Sequence, residues 1–236
     1  MRQLLPFAAD VVDPVEVYAD LPVASGRPAV RLNMIASLDG AATVDGLSGG
    51  LGGPADHRVF AALRELADVV LVAAGTVRAE RYGPSKLPLA IVTRTCALDL
   101  DSRLFTEGAR HVVLTVATAP PAAVAAARKV ADVLVAGERS VDLRAGLQLL
   151  GQAGHRNVLA EGGPSLNAQL AAADLIDELC LTVAPYLLGG DSRRILTGTP
   201  VNRTPFRLHM ICEDSEYLFL RLRRAPSPPI DLRFIP

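Results

Sequence analysis

Tryptophan is absent from this 236-residue sequence, other aromatic residues are few, and neither sign of charge is in excess. The 24 lysines and arginines are balanced by 25 aspartates and glutamates, which gives a formal net charge of −1 at pH 7. Proteins that bind nucleic acid usually carry a basic surface, and those that bind single strands also stack bases on aromatic side chains. The composition therefore gives no reason to expect a nucleic-acid partner.

Cysteines and long apolar segments are scarce too. The three cysteines, Cys96, Cys180 and Cys212, are far apart and form neither a Cys-x-x-Cys pair nor a disulfide framework, which favours a reducing compartment. The four histidines are scattered and suggest no metal site. Apolar runs such as residues 69–74 have the length of a strand and not of a membrane span, and the N-terminus is a poor signal peptide. We therefore expect a cytoplasmic protein that does not contact a membrane.

The length and the 50% share of hydrophobic residues suit one large α/β domain. Residues 1–28 contain prolines and no sustained periodicity, so we interpret them as a leading segment lying on the domain. Residues 29–224 form the predicted domain, and residues 225–236 a proline-rich, extended tail.

Within the domain, short apolar runs alternate with helical patterns. Such runs, bounded by turns, are typical of parallel strands buried on both faces. In the first helix Pro54 marks the start, and Val59, Leu63 and Leu66 with Phe60 and Ala67 form the predicted apolar stripe. After residue 175 only strands are predicted, with residues 213–215 as a hairpin connection. Strands are predicted at residues 30–38, 68–74, 89–93, 111–116, 132–136, 157–160, 176–184, 206–211 and 217–223, and the later helices at 121–130, 141–152 and 164–172.

A glycine pair between a predicted strand and a predicted helix is the most informative local motif. Gly162 and Gly163 follow the strand at residues 157–160, and Pro164 opens the next helix. Free amides at a helix N-terminus attract anions, and glycine allows a phosphate to approach the backbone. The motif predicts a phosphate cradle, although a tight turn that merely needs glycine would look the same.

Other strand ends carry polar residues that could serve the same ligand. Thr93 and Arg94 could hold a phosphate, or Arg94 could be a solvated loop arginine. Gly75 and Thr76 could contact a pyrophosphate or simply end a strand, and Asp39 could be a pocket carboxylate or a turn residue. A Rossmann fingerprint, a Walker loop and a Gly-x-Ser-x-Gly motif are all missing from the sequence.

Taken in order, these motifs resemble one family. The chain is similar, from about residue 28 to residue 223, to the reductase domain of the riboflavin-biosynthesis deaminase/reductase, the RibD C-terminal domain family. Because no deaminase half is present, it looks like a stand-alone reductase of the actinobacterial branch. The motifs are Ser37-Leu38-Asp39-Gly40, a Gly-rich loop with Ser48, Leu63-Arg64, Gly75-Thr76-Val77-Arg78-Ala79-Glu80, Glu161-Gly162-Gly163-Pro164-Ser165-Leu166, Asp177-Glu178-Leu179 and Ala184-Pro185-Tyr186-Leu187-Leu188-Gly189-Gly190.

The resemblance implies a dihydrofolate reductase-like fold, which is a three-layer αβα arrangement around a mixed, mostly parallel sheet with antiparallel C-terminal strands. It implies a homodimeric oxidoreductase that uses NADPH. Cofactor contacts are implied for Ile35, Gly50, Gly75, Thr76, Glu80, Thr93, Arg94, Gly162, Gly163, Pro164, Ser165 and Leu166. Substrate contacts are implied for Ser48, Arg64 and Glu161. Asn33 joins them because it shares a strand face with Ile35.

The implied reaction transfers hydride to C1′ of a ribosylaminopyrimidine phosphate, of the 5-amino-6-ribosylaminouracil phosphate type. Asp39 is the candidate catalytic proton relay, and Arg81 or Lys86 could hold the substrate phosphate. Two alternatives stay open: reduction of a folate or pteridine, which needs a pocket carboxylate from Glu161 or Asp39, and a catalytically idle NADP-binding protein.

Overall fold

A computed structural model describes residues 1–225, and the predicted tail beyond Ala225 lies outside these residues. The ten strands of this part of the chain are β1 (Arg2–Leu5), β2 (Ala29–Ser37), β3 (Val69–Ala73), β4 (Leu89–Val92), β5 (His111–Thr115), β6 (Ala131–Val135), β7 (Asn157–Ala160), β8 (Glu178–Ala184), β9 (Phe206–Asp214) and β10 (Tyr217–Arg224). The helices are α1 (Pro14–Tyr18), α2 (Pro54–Glu65), α3 (Ala74–Ala79), α4 (Arg103–Thr106), α5 (Pro121–Val130), α6 (Leu143–Gln152) and α7 (Pro164–Ala172).

All ten strands form one sheet in the order β1-β9-β10-β8-β2-β7-β3-β4-β5-β6. From β8 to β6 every neighbouring pair is parallel. The pairs β8–β10, β10–β9 and β9–β1 are antiparallel. The predicted mixed sheet with antiparallel C-terminal strands is confirmed.

Helices cover both faces of the sheet. On one face, Leu147 and Leu150 of α6 and Leu166 and Leu170 of α7 pack against the inner strands. On the other face α2 packs on β7, β8 and β10, while α3, α4 and α5 cover the far half. The central strands are buried on both sides, which explains their continuously apolar sequences.

The leading segment is part of the sheet and does not only lie on it. Its strand β1 pairs with β9, and Tyr18 at the end of α1 is 1% exposed. The buried Glu178 carboxylate accepts from Arg31 at 2.5 Å and lies 2.9 Å from Nε of Arg221. The same arginines donate to main-chain carbonyls at residues 17, 18 and 20, which ties the segment to the strands.

Two local expectations were wrong. Glu213 and Asp214 belong to β9, and the hairpin turn is formed by Ser215 and Glu216, which both have positive φ. Gly75 does not end a strand but lies within the short helix α3. Across residues 1–225, no helix combines the length and the apolar character needed to cross a bilayer.

Candidate active site

A cavity of about 400 Å³ opens at the carboxyl ends of β2, β3 and β7. Its walls come from α2, from the residues after α3, and from the glycine loop, which we define as residues 44–53. Ligand sites of α/β sheets lie characteristically at this edge, because strand ends and the loops after them converge there.

A charged cluster of three side chains forms one wall. Arg64, near the end of α2, donates from Nε and Nη2 to the two oxygens of Glu161, each at 2.8 Å. The Tyr82 hydroxyl donates to Oε2 of the same carboxylate, also at 2.8 Å. The Glu161 side chain is 4% exposed and the Arg64 side chain 28%, so the arginine is the more accessible member of the pair.

Aromatic rings flank Arg64, and its hydrogen bonds with Glu161 keep it charged against the effect of burial. The Arg64 guanidinium carbon lies 4.3 Å from the Phe60 ring centroid and 5.6 Å from that of Tyr82. Burial alone lowers the pKa of Arg64, but the hydrogen bonds and charge of Glu161 outweigh it and raise the pKa above its usual value. Burial and the neighbouring Glu161 charge raise the pKa of Tyr82 well beyond its ordinary range. Tyr82 therefore stays a neutral hydrogen-bond donor.

The glycine loop is latched to the residue that follows α3. The backbone N–H of Ser48 donates to Oε1 of Glu80 at 3.1 Å, and its hydroxyl donates to the same oxygen at 3.0 Å. The latch closes one side of the cavity across 32 residues of sequence. It gives Ser48 and Glu80 a structural role in addition to any ligand contact.

Helix α2 contributes further side chains to the cavity besides Arg64. Asp56, Phe60 and Arg64 are spaced four residues apart and all line it, with His57 beside them. This spacing places them along one side of the helix. Burial raises the pKa of Asp56, although the Thr182 hydroxyl and the charge of His57 lower it.

The glycine pair lies between β7 and α7, beside α3. Gly162 has φ +97, a conformation that favours glycine. A side chain at Gly163 is excluded sterically, because an added Cβ would lie 2.6 Å from Oγ1 of Thr76. The first amides of α7 have no partner within the helix and point out of its N-terminus, next to Thr76.

A buried carboxamide lies behind this turn. Asn167 is fully buried, and its amide donates to the carbonyl of Ile195 at 2.9 Å. Its Oδ1 atom finds no hydrogen-bond partner among the described residues. The loop around Ile195 also meets the start of α7, because Thr197 donates its N–H to the Pro164 carbonyl at 3.2 Å.

Comparison with known proteins identifies the family. The model of the RibD C-terminal domain matches residues 28–220. The chain belongs to the RibD C-terminal domain family. It is 32% identical over 187 residues to the 2,5-diamino-6-ribosylamino-4(3H)-pyrimidinone 5′-phosphate reductase of Methanothermobacter thermautotrophicus, covering 75% of this chain and 87% of that protein.

Solved structures share the architecture of this RibD C-terminal domain. A pyrimidine reductase-like protein from Corynebacterium diphtheriae superposes with a TM-score of 0.80 at 25% identity, covering 92% of this chain and all of that one. Dihydrofolate reductase from Enterococcus faecalis, complexed with NADP(H), gives a TM-score of 0.51 at 12% identity, covering 84% and 97%. The latter likeness concerns the fold alone. The predicted family and the dihydrofolate reductase-like fold are confirmed.

Seven of the predicted site residues of this RibD C-terminal domain line the one cavity. They are Asn33, Ile35, Ser48, Arg64, Thr76, Glu80 and Glu161. Others lie at the same sheet edge outside its walls. These are Gly50 in the glycine loop, Gly75 in α3, Thr93 and Arg94 after β4, and Gly162, Gly163, Pro164, Ser165 and Leu166 at the start of α7.

Two of these outer positions have distinct surroundings. The Thr93 hydroxyl accepts from the amides of Thr95 and Cys96 at 3.3 and 3.2 Å, which accounts for it as a turn residue. Arg94 is exposed, and within residues 1–225 its side chain makes no hydrogen bond or ion pair. It is therefore available to an anionic ligand.

Asp39 lies elsewhere. Its exposed carboxylate accepts from the Ser37 hydroxyl at 2.5 Å and from the amides of Leu188 and Gly189. These bonds, first that of Ser37, lower the pKa of Asp39 to about 2. Asp39 is not among the residues that line the cavity, and its contacts are those of a turn anchor.

The sequence interpretation missed Asp56, Phe60 and Tyr82 as cavity residues. Phe60 was assigned to the apolar stripe of α2, but it lies under Arg64 and lines the cavity. The four-residue spacing of Asp56, Phe60 and Arg64 was the signal that could have found Asp56 and Phe60, whereas no local pattern marked Tyr82.

Proposed function

We propose that this protein is an NADPH-dependent reductase that converts the ribosyl group of a ribosylaminopyrimidine phosphate into a ribityl chain in riboflavin biosynthesis. The proposal rests on one observation above all. One wall of the cavity is formed by the hydrogen-bonded side chains of Arg64, Glu161 and Tyr82. Ile35 and Thr76 line the same cavity, and Glu161 directly precedes the glycine pair in the sequence. The family, and the reductase activity in the name of its relative, support it.

The residues present fit a dinucleotide phosphate. Gly163 allows the Thr76 hydroxyl to lie against the backbone at the start of α7, where a Cβ would clash with it, and the amides of Ser165 and Leu166 lie in the first turn of that helix. We assign the pyrophosphate to these groups and the 2′-phosphate of the adenosine to Arg94. When bound, the reduced nicotinamide supplies the hydride.

Arg64 holds the substrate, and Glu161 orients the Arg64 guanidinium. Both oxygens of Glu161 already accept hydrogen bonds from Arg64, and one also accepts from Tyr82. Nη1 of Arg64 has no partner within the described residues, and the side chain reaches the cavity. Its two N–H groups are therefore the donors available to a substrate carbonyl or phosphate. This changes the role expected of Glu161, from direct contact toward preorganisation of the arginine.

The protein must also align the reactants and exclude water, since hydride transfer requires close contact between donor and acceptor carbons. The latch between Ser48 and Glu80 holds the glycine loop against the cavity. Arg81 and Ser85 line the same cavity and could receive the substrate phosphate. Lys86 is exposed and does not line it.

A folate or pteridine substrate is the second candidate, because one observation favours it. Holding a pterin ring requires a pocket carboxylate. Glu161 is committed to Arg64, and Asp39 lies outside the cavity, but Asp56 lines it.

For the assembled protein we propose a cytoplasmic homodimer, from the family resemblance and the three free, buried cysteines.

The proposal is tested by following NADPH oxidation with three substrates: the diaminopyrimidinone and aminouracil forms of the ribosylamino phosphate, and dihydrofolate. We expect turnover with a ribosylamino phosphate and loss of that turnover in Arg64→Ala. Activity on dihydrofolate alone would favour the second candidate. NADPH binding without turnover of any of the three would identify an idle binding protein.

A further inference from the structure

One acidic side chain of the cavity has no assigned task. Among the residues that line it, the carboxyl groups belong to Asp56, Glu80 and Glu161. Glu161 accepts three hydrogen bonds from Arg64 and Tyr82, and Glu80 accepts two from Ser48. Within residues 1–225 Asp56 is in no ion pair. The Thr182 hydroxyl lies within hydrogen-bonding reach of it.

Asp56 lies at the end of the cavity where β2 and β8 meet. Thr182 on β8 pairs directly in register with Ile35 on β2. Neighbouring strands are about 4.8 Å apart, so a carboxylate beside Thr182 is close to Ile35. The glycine loop closes over it, since a Cβ added to Gly52 would lie 2.9 Å from Oδ2 of Asp56. The family resemblance implies that Ile35 contacts the cofactor near its nicotinamide, and this places Asp56 beside the reacting carbon.

The proposed reaction consumes one proton at the ring oxygen bonded to that carbon. The exocyclic nitrogen of the ribosylamine uses its lone pair to form a C1′=N double bond, and the C1′–O4′ bond breaks with its electron pair going to O4′. That oxygen needs a proton to become a hydroxyl. Hydride from the reduced nicotinamide then forms the new C1′–H bond, and the π pair returns to nitrogen. One hydride and one proton are added in total, and an acid must supply the proton.

We propose that the carboxyl group of Asp56 donates this proton to O4′, so that Asp56 is the general acid of ring opening. The inference rests on the proposed ribosylaminopyrimidine function. Glu161 and Glu80 already accept hydrogen bonds from Arg64, Tyr82 and Ser48, so both groups are engaged within the protein. Among residues 1–225, Asp56 has the Thr182 hydroxyl as a neighbour and no cationic partner at ion-pair distance.

The surroundings of Asp56 agree with this task. Burial raises the pKa of Asp56, so its carboxyl group keeps a proton to higher pH than an exposed aspartate does. The titratable groups that face it are His57 on the same helix and Tyr217 on β10. Burial, followed by Tyr186, raises the pKa of Tyr217 to about 12, so its phenol stays neutral. Thr182, Asn33 and Gly52 carry no charge.

The test is Asp56→Asn, which preserves shape and the contact with Thr182 but cannot donate the proton. We expect kcat to fall by about 10²–10⁴ with KM changed only a few-fold, because general acid catalysis contributes about that much. The decline of wild-type kcat at high pH should disappear in the variant. The Kd for NADPH, from fluorescence titration, should not change, and Asp56→Glu should recover part of kcat.

Glu65→Gln is the matched control, because it removes an exposed carboxylate from the same helix outside the cavity. Asp56→Ser serves as a second variant if the asparagine variant does not fold. Near wild-type kcat in Asp56→Asn or Asp56→Ser, or a raised KM alone, would overturn the role and leave the reductase function standing. A wild-type enzyme that reduces no ribosylaminopyrimidine phosphate would overturn both.

Discussion

Removal of Arg64 should destabilise the protein more than removal of the Glu161 charge. In Arg64→Met, the Glu161 carboxylate, whose side chain is 4% exposed, loses two hydrogen bonds and keeps only that of Tyr82. An uncompensated buried charge lowers the free energy of unfolding by about 3–5 kcal/mol, and we expect Arg64→Met to lower it by about 3 kcal/mol. In Glu161→Gln, Arg64 is left with 28% of its side chain exposed and can be hydrated in the cavity, so we expect about 1.5 kcal/mol.

The double variant decides whether this reasoning is correct. With both charges gone, the buried carboxylate that makes Arg64→Met costly is absent. We therefore expect about 2.5 kcal/mol of lost stability, well below the total of the single changes. Urea denaturation measures the free energy of unfolding of each variant, and the dependence of that free energy on urea concentration should be the same in all of them. All three variants should lose turnover of the ribosylamino phosphate and still bind NADPH.

Two results would refute the argument. If the two single changes add within about 0.5 kcal/mol, the pair is not coupled as the distances imply. If Arg64→Met is tolerated without measurable loss, water or Tyr82 satisfies Glu161, and the buried-charge explanation fails.

The other predictions concern the cofactor edge and the Asp39 turn. Gly163→Ala should weaken NADPH binding at least tenfold (Kd by fluorescence), because its Cβ would meet Thr76 at 2.6 Å, and Thr76→Ala should recover part of the loss. Arg94→Ala should weaken NADPH far more than NADH, and equal weakening would remove it from the 2′-phosphate site. The lowered pKa of Asp39 contributes stability above its unfolded value of 3.8 that is lost as pH falls toward about 2. In Asp39→Asn the urea midpoint should fall less steeply with decreasing pH in this range. A fall as steep as that of the wild type would contradict the prediction.

Elements with strong local signals were predictable from the sequence. Helices α5 and α7 and strand β7 have the predicted bounds, because a proline at the first helical position or a turn marks each boundary. Strand β1 escaped prediction because its partner β9 lies about two hundred residues away and its four residues show no alternation. Helix α3 contains a glycine and β-branched residues, which have poor helix propensity, so tertiary packing sets it.

At the site, the order of motifs predicted which residues meet but not what each one does. Glu161 was expected to contact substrate, yet its donors within the protein occupy it. Asp39 was expected as a proton relay in the reaction that the family resemblance implies, but its carboxylate accepts from the amides of Leu188 and Gly189 outside the cavity. Both arrangements depend on contacts between residues 79 to 150 positions apart, and a local pattern cannot show them.

The motif at residues 161–166 joins the two halves of the site through consecutive residues. The Glu161 amide donates to the Leu71 carbonyl at 3.0 Å, and the Gly162 carbonyl accepts from the Ala73 amide at 2.8 Å. Strand β3 therefore holds Glu161, which bonds Arg64, and the glycine beside the proposed cofactor cradle in one fixed spacing. Hydride transfer depends steeply on that spacing, since a displacement of about 1 Å can cost about a hundredfold in rate. The two peptide hydrogen bonds to β3 therefore fix the position of Arg64 relative to the glycine pair, which a single side chain of the cavity cannot do.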